Sequence, residues 1–143
     1  MYPSDKQNAN PSATELKSVG GVTRIFNALR YSAQGLRHAV RFEAAFRQEL
    51  MVAVPAFIIL FFLPVTKVEK ILLLASVLLM LIVELLNSAV EAVVDRVSTE
   101  RHPLSGRAKD MGSASVLLTV LLMVITWGWI AGPVVFNLIL RMF

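Results

Sequence analysis

One stripe of polar residues in an otherwise apolar segment carries the clearest chemical signal in this sequence. The segment is LIVELLNSAVEAVVDR, and its stripe consists of Glu84, Ser88, Glu91 and Asp95. On an α-helix these spacings place the four side chains within an arc of about 60°. An uncompensated acid near the centre of a membrane helix costs on the order of 3 kcal/mol. We therefore expect the stripe to face protein, water or a bound cation.

Two kinds of chemistry suit this stripe. Carboxylates on one helix face can bind a hard divalent ion such as Mg²⁺, which takes oxygen ligands, or they can line a proton or cation pathway. Glu84 lies about 16 Å along the helix from Asp95, and this depth suits a general base, whereas Glu91 is placed to hold metal. A purely structural alternative is pairing with basic residues of a neighbouring helix, but the other two apolar cores contain no Lys or Arg.

The composition indicates one small integral membrane domain. Of the 143 residues, 56% are hydrophobic and 17% are charged. The absence of cysteine excludes disulfides, Cys-ligated zinc and a thiol nucleophile. Neither GxxxxGKS/T nor GxGxxG occurs, so the generic nucleotide-binding loops are excluded. The net charge of +4 is distributed in a way that suggests a membrane surface rather than a nucleic acid.

Three apolar segments predict membrane helices, with spans at about 44–65, 71–94 and 111–131. Pro55 predicts a kink in the first span, and Pro64 predicts its end. The third apolar run continues to about residue 140 and would measure about 45 Å as one helix, against roughly 30 Å of hydrocarbon. We therefore predict a break at Gly132 and Pro133, followed by a short surface segment.

The N-terminal region and the long loop predict the orientation. Residues 1–21 are polar and predict a loose tail, and residues 22–42 predict an amphipathic helix lying in the membrane interface. Seven Lys and Arg residues precede the apolar core of the first span, which begins at Leu50, four lie in the loop after the second span, and two lie in the intervening loop. Since positive side chains resist translocation, the N-terminus and the long loop should be cytoplasmic. In that loop, Arg107, Lys109 and Asp110 could receive a polyanion, although the general basic excess also explains the two cations.

Three ordered motifs resemble the prokaryotic diacylglycerol kinase family. They are EAAFRQE at 43–49, VELLNSAVEAVVDR at 83–96 and LSGRAKDMGSA at 104–114. The resemblance implies an all-α membrane protein with an N-terminal amphipathic surface helix and three transmembrane helices, forming a homotrimer with active sites shared between subunits. It also implies transfer of the γ-phosphoryl group of ATP, with Mg²⁺, to diacylglycerol. The product would be phosphatidic acid at the cytoplasmic face of the bacterial inner membrane.

The resemblance also implies roles for individual residues. Glu84 would be the catalytic base, Glu43 and Glu91 would bind the metal, and Asn87 and Asp95 would support the polar face. The implied nucleotide-binding residues are Arg24, Tyr31, Glu43, Glu91, Glu100, Arg101, His102, Lys109 and Asp110. The implied residues for binding the lipid substrate are Arg24, Ala28, Leu29, Arg30, Tyr31, Ser32, Ala33, Arg37, Val40, Ala45, Phe46, Arg47, Gln48, Glu49, Glu84 and Ser113.

Two other functions remain open at the level of sequence. A kinase of the same fold could act on undecaprenol or another lipid alcohol, because the sequence says little about acyl or prenyl contacts. A small ion or proton transporter could use the acidic stripe as its path. Labelled ATP supplied with each alcohol separates the two kinases, and ion flux without ATP consumption would indicate the transporter.

Overall fold

The chain is α-helical in both ranges that the computed structural model describes, residues 21–97 and 102–141. These ranges contain no strand and form four helices, α1 (Gly21–Phe42), α2 (Ala44–Phe62), α3 (Lys67–Val97) and α4 (Pro103–Leu140). The predicted all-α fold is confirmed. The predicted tail lies outside these ranges except for Gly21, which begins α1. The chain divides into two compact units between Arg37 and His38.

Helices α2, α3 and α4 are each long and apolar enough to cross a membrane. The α3 helix is central in the second unit, since α2 and α4 both pack against it. Small residues allow the first of these contacts: Ala53 and Ala56 of α2 are 0% and 6% exposed and lie in one core cluster with Val77 and Met80 of α3. In a membrane, where lipid is as apolar as the core, such close van der Waals packing is what holds helices together.

A second core cluster lies farther from the acidic residues along α3. It contains Leu60, Leu63, Leu73 and Ala131. The half-buried Trp127 packs against this cluster, and its indole Nε1 donates a hydrogen bond of 3.3 Å to the carbonyl oxygen of Leu73. Trp127 therefore links α4 to α3 through this hydrogen bond, a role additional to the interfacial one that the sequence predicts.

Local sequence explains the turn between α2 and α3. The α2 helix contains Pro55 and ends at Phe62, two residues before Pro64, as the sequence predicts. A capping box then starts α3: the Thr66 amide donates to Glu69 Oε2 at 2.8 Å, and the Glu69 amide donates to Thr66 Oγ1 at 3.3 Å. This reciprocal pair satisfies two backbone donors that the first turn of a helix leaves free.

The predicted break in the third apolar segment is wrong. The α4 helix begins at Pro103 and continues through Gly132 and Pro133 to Leu140. Its 38 residues correspond to a length of about 57 Å. Proline removes one backbone donor, whereas a turn inside an apolar region would leave several backbone groups unsatisfied, so continuing the helix is the less costly arrangement.

The α1 helix is amphipathic, and its apolar side chains are exposed. Val22, Ile25, Phe26 and Leu29 are between 61% and 69% exposed. Such an apolar face on a helix with four arginines is typical of a segment that lies on a membrane surface or against another protein surface.

Candidate active site

The acidic stripe of α3 passes from a buried to an exposed environment along the helix. Glu84, near the middle of the helix, is 3% exposed. Ser88 and Glu91 are half-buried, and Asp95 near the end of the helix is exposed. The stripe faces protein at its deep end, as the sequence predicts. The Ser88 side chain lies beside the Glu84 carboxylate.

Four carboxylates from two helices come together around Glu84. Glu43, Glu49 and Glu91 all lie close enough to influence Glu84 or be influenced by it electrostatically. We call Glu43, Glu49, Glu84 and Glu91 the carboxylate cluster. Glu43 is the N-cap residue of α2 and Glu49 lies in the second turn of that helix, which packs against α3. Phe46, between them in sequence, is 3% exposed and anchors this part of α2 in the core.

Within residues 21–97 and 102–141 no Lys or Arg forms a salt bridge with this cluster, although Lys109 lies close enough to Glu91 to interact with it electrostatically. In residues 21–97 and 102–141 the one salt bridge joins Lys109 and Asp95, outside the cluster. Glu43 precedes the first turn of α2 but makes no capping hydrogen bond with its side chain. The Oε2 atom of Glu49 is buried without a hydrogen-bond partner in the described structure. Like charges at close range repel, so the cluster is suited to receive a cation or a proton.

Asn87 connects this cluster to the α3–α4 contact. Its Nδ2 donates a hydrogen bond of 3.1 Å to Glu91 Oε1, one helical turn away. Its Oδ1 is buried and has no hydrogen-bond partner in the described structure. A glycine of α4, Gly112, lies opposite this amide. The sequence places Asn87 on the flank of the stripe but carries no sign of the α4 residue that faces it.

An ion pair joins the C-terminal end of α3 to the start of α4. Lys109 Nζ lies 2.6 Å from Asp95 Oδ1, and the two side chains are 40% and 65% exposed. At such exposure the pair contributes little stability, so its main effect is to hold the lysine near the acidic stripe. His102 is the N-cap residue of α4, and its Nδ1 accepts a hydrogen bond of 3.2 Å from the Leu104 amide. Asp110 is exposed on the same helix.

The remaining predicted residues fall into three groups. Glu100 and Arg101 lie outside the described residues. The predicted residues Arg24, Ala28, Leu29, Arg30, Tyr31, Ser32, Ala33 and Arg37 lie on α1 in the first unit, where all of them are exposed. In the second unit Val40, Ala45, Arg47, Gln48 and Ser113 are exposed, whereas Phe46 is part of the core.

An apolar groove lies beside Arg47 on the outside of α2. It has a volume of about 700 Å³ and is lined by Arg47, Leu50, Met51, Val54 and Pro55. The Arg47 guanidinium donates a hydrogen bond of 3.2 Å to the carbonyl oxygen of Arg41, which directs it to the end of α1. The groove thus combines apolar walls with one cationic end.

Comparison with known proteins identifies the family. The family model described as Prokaryotic diacylglycerol kinase matches residues 30–131, which is most of the chain. The chain belongs to the prokaryotic diacylglycerol kinase family. The match includes the whole carboxylate cluster, Asn87 and the ion pair between Asp95 and Lys109. It begins after Arg24, Ala28 and Leu29.

Three relatives within the diacylglycerol kinase family are similar over nearly their whole length. The diacylglycerol kinase of Haemophilus influenzae is 54% identical over 110 residues, covering 77% of this chain and 93% of that protein. That of Escherichia coli K12 is 55% identical over 107 residues, or 75% and 88%. That of Pseudomonas aeruginosa is 50% identical over 119 residues, or 83% and 97%. The family suggested by the three sequence motifs is therefore confirmed.

Proposed function

We propose that this protein transfers the γ-phosphoryl group of ATP to the primary hydroxyl of diacylglycerol, giving phosphatidic acid. Membership of the diacylglycerol kinase family supports the substrate and the reaction class. The observation that carries the mechanism is the buried Glu84 among three other carboxylates, none of which forms a salt bridge within the described residues. A lipid hydroxyl lies near the membrane surface, so the group that activates it must lie in the membrane too.

The cluster fits a magnesium ion delivered with the nucleotide. Magnesium is commonly bound through one or two carboxylates plus substrate phosphates and water. Glu43 and Glu91 would hold it, since Glu43 is not used for capping and Glu91 is oriented by Asn87. Among the described residues no group of three or more acidic or histidine side chains forms a metal site, so phosphate oxygens and water would have to supply the other ligands. The ion would neutralise phosphate charge when bound.

Glu84 acts as the general base in the proposed reaction. Its carboxylate accepts the proton of the lipid hydroxyl as that oxygen forms a bond to the γ-phosphorus. The bond between the γ-phosphorus and the bridging oxygen breaks, and ADP leaves with the electron pair. Because phosphoryl transfer depends chiefly on positioning and charge stabilisation, a fold without a Walker loop can support it.

The start of α4 holds the nucleotide in this proposal. Lys109, positioned by Asp95, would neutralise charge on the ATP phosphates. The α1 residues Arg24 and Tyr31 and the loop residues Glu100 and Arg101 would complete the nucleotide site, and His102 would contact the nucleotide as well as capping α4. The exposed residues of α1 and the first turns of α2 would contact the lipid.

The site opens toward the cytoplasm of a bacterium in this proposal. The excess of Lys and Arg before α2 and between α3 and α4 favours a cytoplasmic N-terminus in the inner membrane. A homotrimer with active sites shared between subunits would complete the site, as the family resemblance implies. The exposed apolar residues of α1 support this assembly, since they leave an apolar surface against which a second subunit can pack.

The decisive experiment is identification of the phosphorylated product. The purified protein in detergent micelles is given radiolabelled ATP and Mg²⁺ with either dioleoylglycerol or undecaprenol. We expect labelled phosphatidic acid from the first lipid and at least tenfold less product from the second, roughly 1.4 kcal/mol of discrimination. Preferential labelling of undecaprenol would identify a kinase for a different alcohol, and no labelling of either lipid would contradict the proposed function.

A further inference from the structure

One glycine of α4 lies so close to Asn87 of α3 that a Cβ atom on it would displace the Asn87 amide. A Cβ atom built on Gly112 would overlap Asn87 Oδ1 and lie 3.3 Å from Asn87 Cγ. At Gly21, Gly35, Gly106, Gly128 and Gly132 such an atom meets nothing within 4 Å. Among the glycines of residues 21–97 and 102–141, Gly112 therefore stands alone in providing space for another side chain.

Asn87 is the side chain that occupies this space, and its amide nitrogen forms a hydrogen bond with the carboxylate cluster. The Asn87 amide points its oxygen toward Gly112 and donates from Nδ2 to Glu91 Oε1 at 3.1 Å. The opposite amide orientation would place an oxygen against a carboxylate and lose this bond. On the α4 side, the hydrogen of Gly112 that replaces a Cβ points at the buried Oδ1, a weak contact that a methyl group would abolish.

We propose that Gly112 is a positioning residue, which orients Glu91 for metal binding by leaving room for the Asn87 amide. This inference rests on the proposed function, in which Glu91 holds the metal. Asn87 has two side-chain torsions, and the atom in the way is at its far end. A methyl group on Gly112 would therefore turn the amide aside without separating the helices. The methyl group would therefore break the hydrogen bond from Asn87 Nδ2 to Glu91 Oε1.

A role in helix packing alone makes the opposite prediction. Small residues often allow close approach of membrane helices, and under that interpretation Gly112→Ala would reduce stability. Under the positioning interpretation stability is kept or slightly increased, since alanine is the better helix former. The two roles are therefore separated by measuring stability and metal affinity on the same variant.

Binding of Mn²⁺ tests the proposal without turnover. Purified Gly112→Ala is titrated with Mn²⁺ in the presence of a non-hydrolysable ATP analogue, and free Mn²⁺ is measured by electron paramagnetic resonance. We expect affinity to fall by about 10- to 100-fold, the usual effect of losing a partner that orients a metal ligand. The thermal midpoint should not fall. Gly128→Ala, the same change on the same helix with no neighbour within 4 Å, should bind Mn²⁺ as the unmodified protein does.

A double-mutant cycle assigns the effect to Asn87. Without the amide the methyl group has nothing to displace, so adding Gly112→Ala to Asn87→Ala should change Mn²⁺ affinity by less than about twofold. The proposal is overturned if Gly112→Ala keeps the original affinity, loses thermal stability, or weakens binding equally in the Asn87→Ala background.

Glu91→Gln distinguishes a failure of the proposed metal site from a failure of the positioning role of Gly112. Unchanged Mn²⁺ affinity in that variant would refute the metal site itself, whereas weakening by Glu91→Gln but not by Gly112→Ala would refute only the positioning role.

Discussion

At the residue scale, the carboxylate cluster concentrates negative charge where water is scarce. Glu84 is almost fully buried, yet Glu43, Glu49 and Glu91 all lie close enough to interact with it electrostatically. Such an arrangement is costly for folding alone, because charges removed from water need partners. A cation, a proton and the phosphate-bound ion of a nucleotide are the partners that the proposed reaction supplies. A bound cation and phosphate groups would offset this cost, which supports their proposed place in the site.

The first prediction concerns the base. Glu84→Gln should lower turnover by about 10²- to 10⁴-fold, because the amide cannot accept the hydroxyl proton. Binding of a fluorescent ATP analogue should stay within about twofold, since Glu84 is not proposed to hold the metal. Steady-state rates and nucleotide titrations on the same preparation measure both. Glu69→Gln, which changes the capping carboxylate at the other end of α3, serves as the control, and near-normal turnover in Glu84→Gln would remove the base assignment.

The second prediction concerns the metal ligand. Glu91→Gln should raise the KM for MgATP by at least tenfold, about 1.4 kcal/mol of binding free energy, because one of two carboxylate ligands is lost. The KM for diacylglycerol should change little, and excess Mg²⁺ should partly restore the rate. A titration of rate against free Mg²⁺ at fixed ATP provides the measurement. A loss of maximal rate with an unchanged requirement for Mg²⁺ would show that Glu91 acts elsewhere in the reaction.

Residue spacing predicts which site residues share a face of α3, but it does not predict which residues of the other helices pack against them. The spacing of Glu84, Ser88 and Glu91 determines that they share a helix face, because helical periodicity alone decides it. The approach of Glu49 to Glu84, and of Gly112 to Asn87, depends on how separate helices pack. Spacing within one helix carries no information on that contact. The family motifs indicate Glu43 and Glu49 as functional, but they assign Glu49 only to lipid contact.

At the scale of the elements, the helices extend beyond the apolar runs that predict them. The apolar part of α3 begins at Ile71, but the helix begins at Lys67 and ends at Val97. Hydropathy reports where lipid surrounds the chain, whereas Lys, Arg and Glu continue a helix as readily as most apolar residues. The pattern Thr66-x-x-Glu69 could have predicted the start of α3, since it is a capping box before an apolar run. No comparable signal marks the end of α4.

The third prediction tests that capping box. Thr66→Ala removes the hydroxyl that accepts from the Glu69 amide and should lower the free energy of unfolding by about 1 kcal/mol. Activity per folded molecule should be unchanged, because the box lies at the opposite end of α3 from Asp95. Unfolding in mixed micelles measured by circular dichroism gives the free energy. Thr126→Ala, whose hydroxyl bonds only to the preceding turn of α4, should have a smaller effect, and equal losses in the two variants would argue against the cap.

At the scale of the whole molecule, three membrane-spanning helices place the two ends of α3 on opposite sides of the membrane. The sequence predicts this number of spans because each helix carries an apolar run long enough for the hydrocarbon. It also predicts the orientation from the positions of Lys and Arg. The association of subunits cannot be worked out in this way, since it depends on surfaces such as the exposed face of α1.

The fourth prediction tests the orientation. The chain contains no cysteine, so a single introduced thiol reports one position. In intact cells Lys67→Cys should react with a membrane-impermeant maleimide, and Leu104→Cys should react only after the cells are broken. Gel-shift labelling measures both. The reversed pattern would place the carboxylate cluster near the outer surface, where cytoplasmic ATP could not reach it.

The uninterrupted α4 helix has a mechanical consequence. One rod of about 57 Å carries Lys109 at one end and the bulky Trp129, which is 83% exposed, toward the other. If such a rod pivots about its middle, a tilt of about 5° moves each tip by about 2.5 Å and Lys109, roughly 19 Å from the pivot, by about 1.6 Å, enough to break a hydrogen bond. Through the stiffness of a single helix, a tilt of the end of α4 in the distant leaflet would therefore displace Lys109, the residue proposed to bind the ATP phosphates.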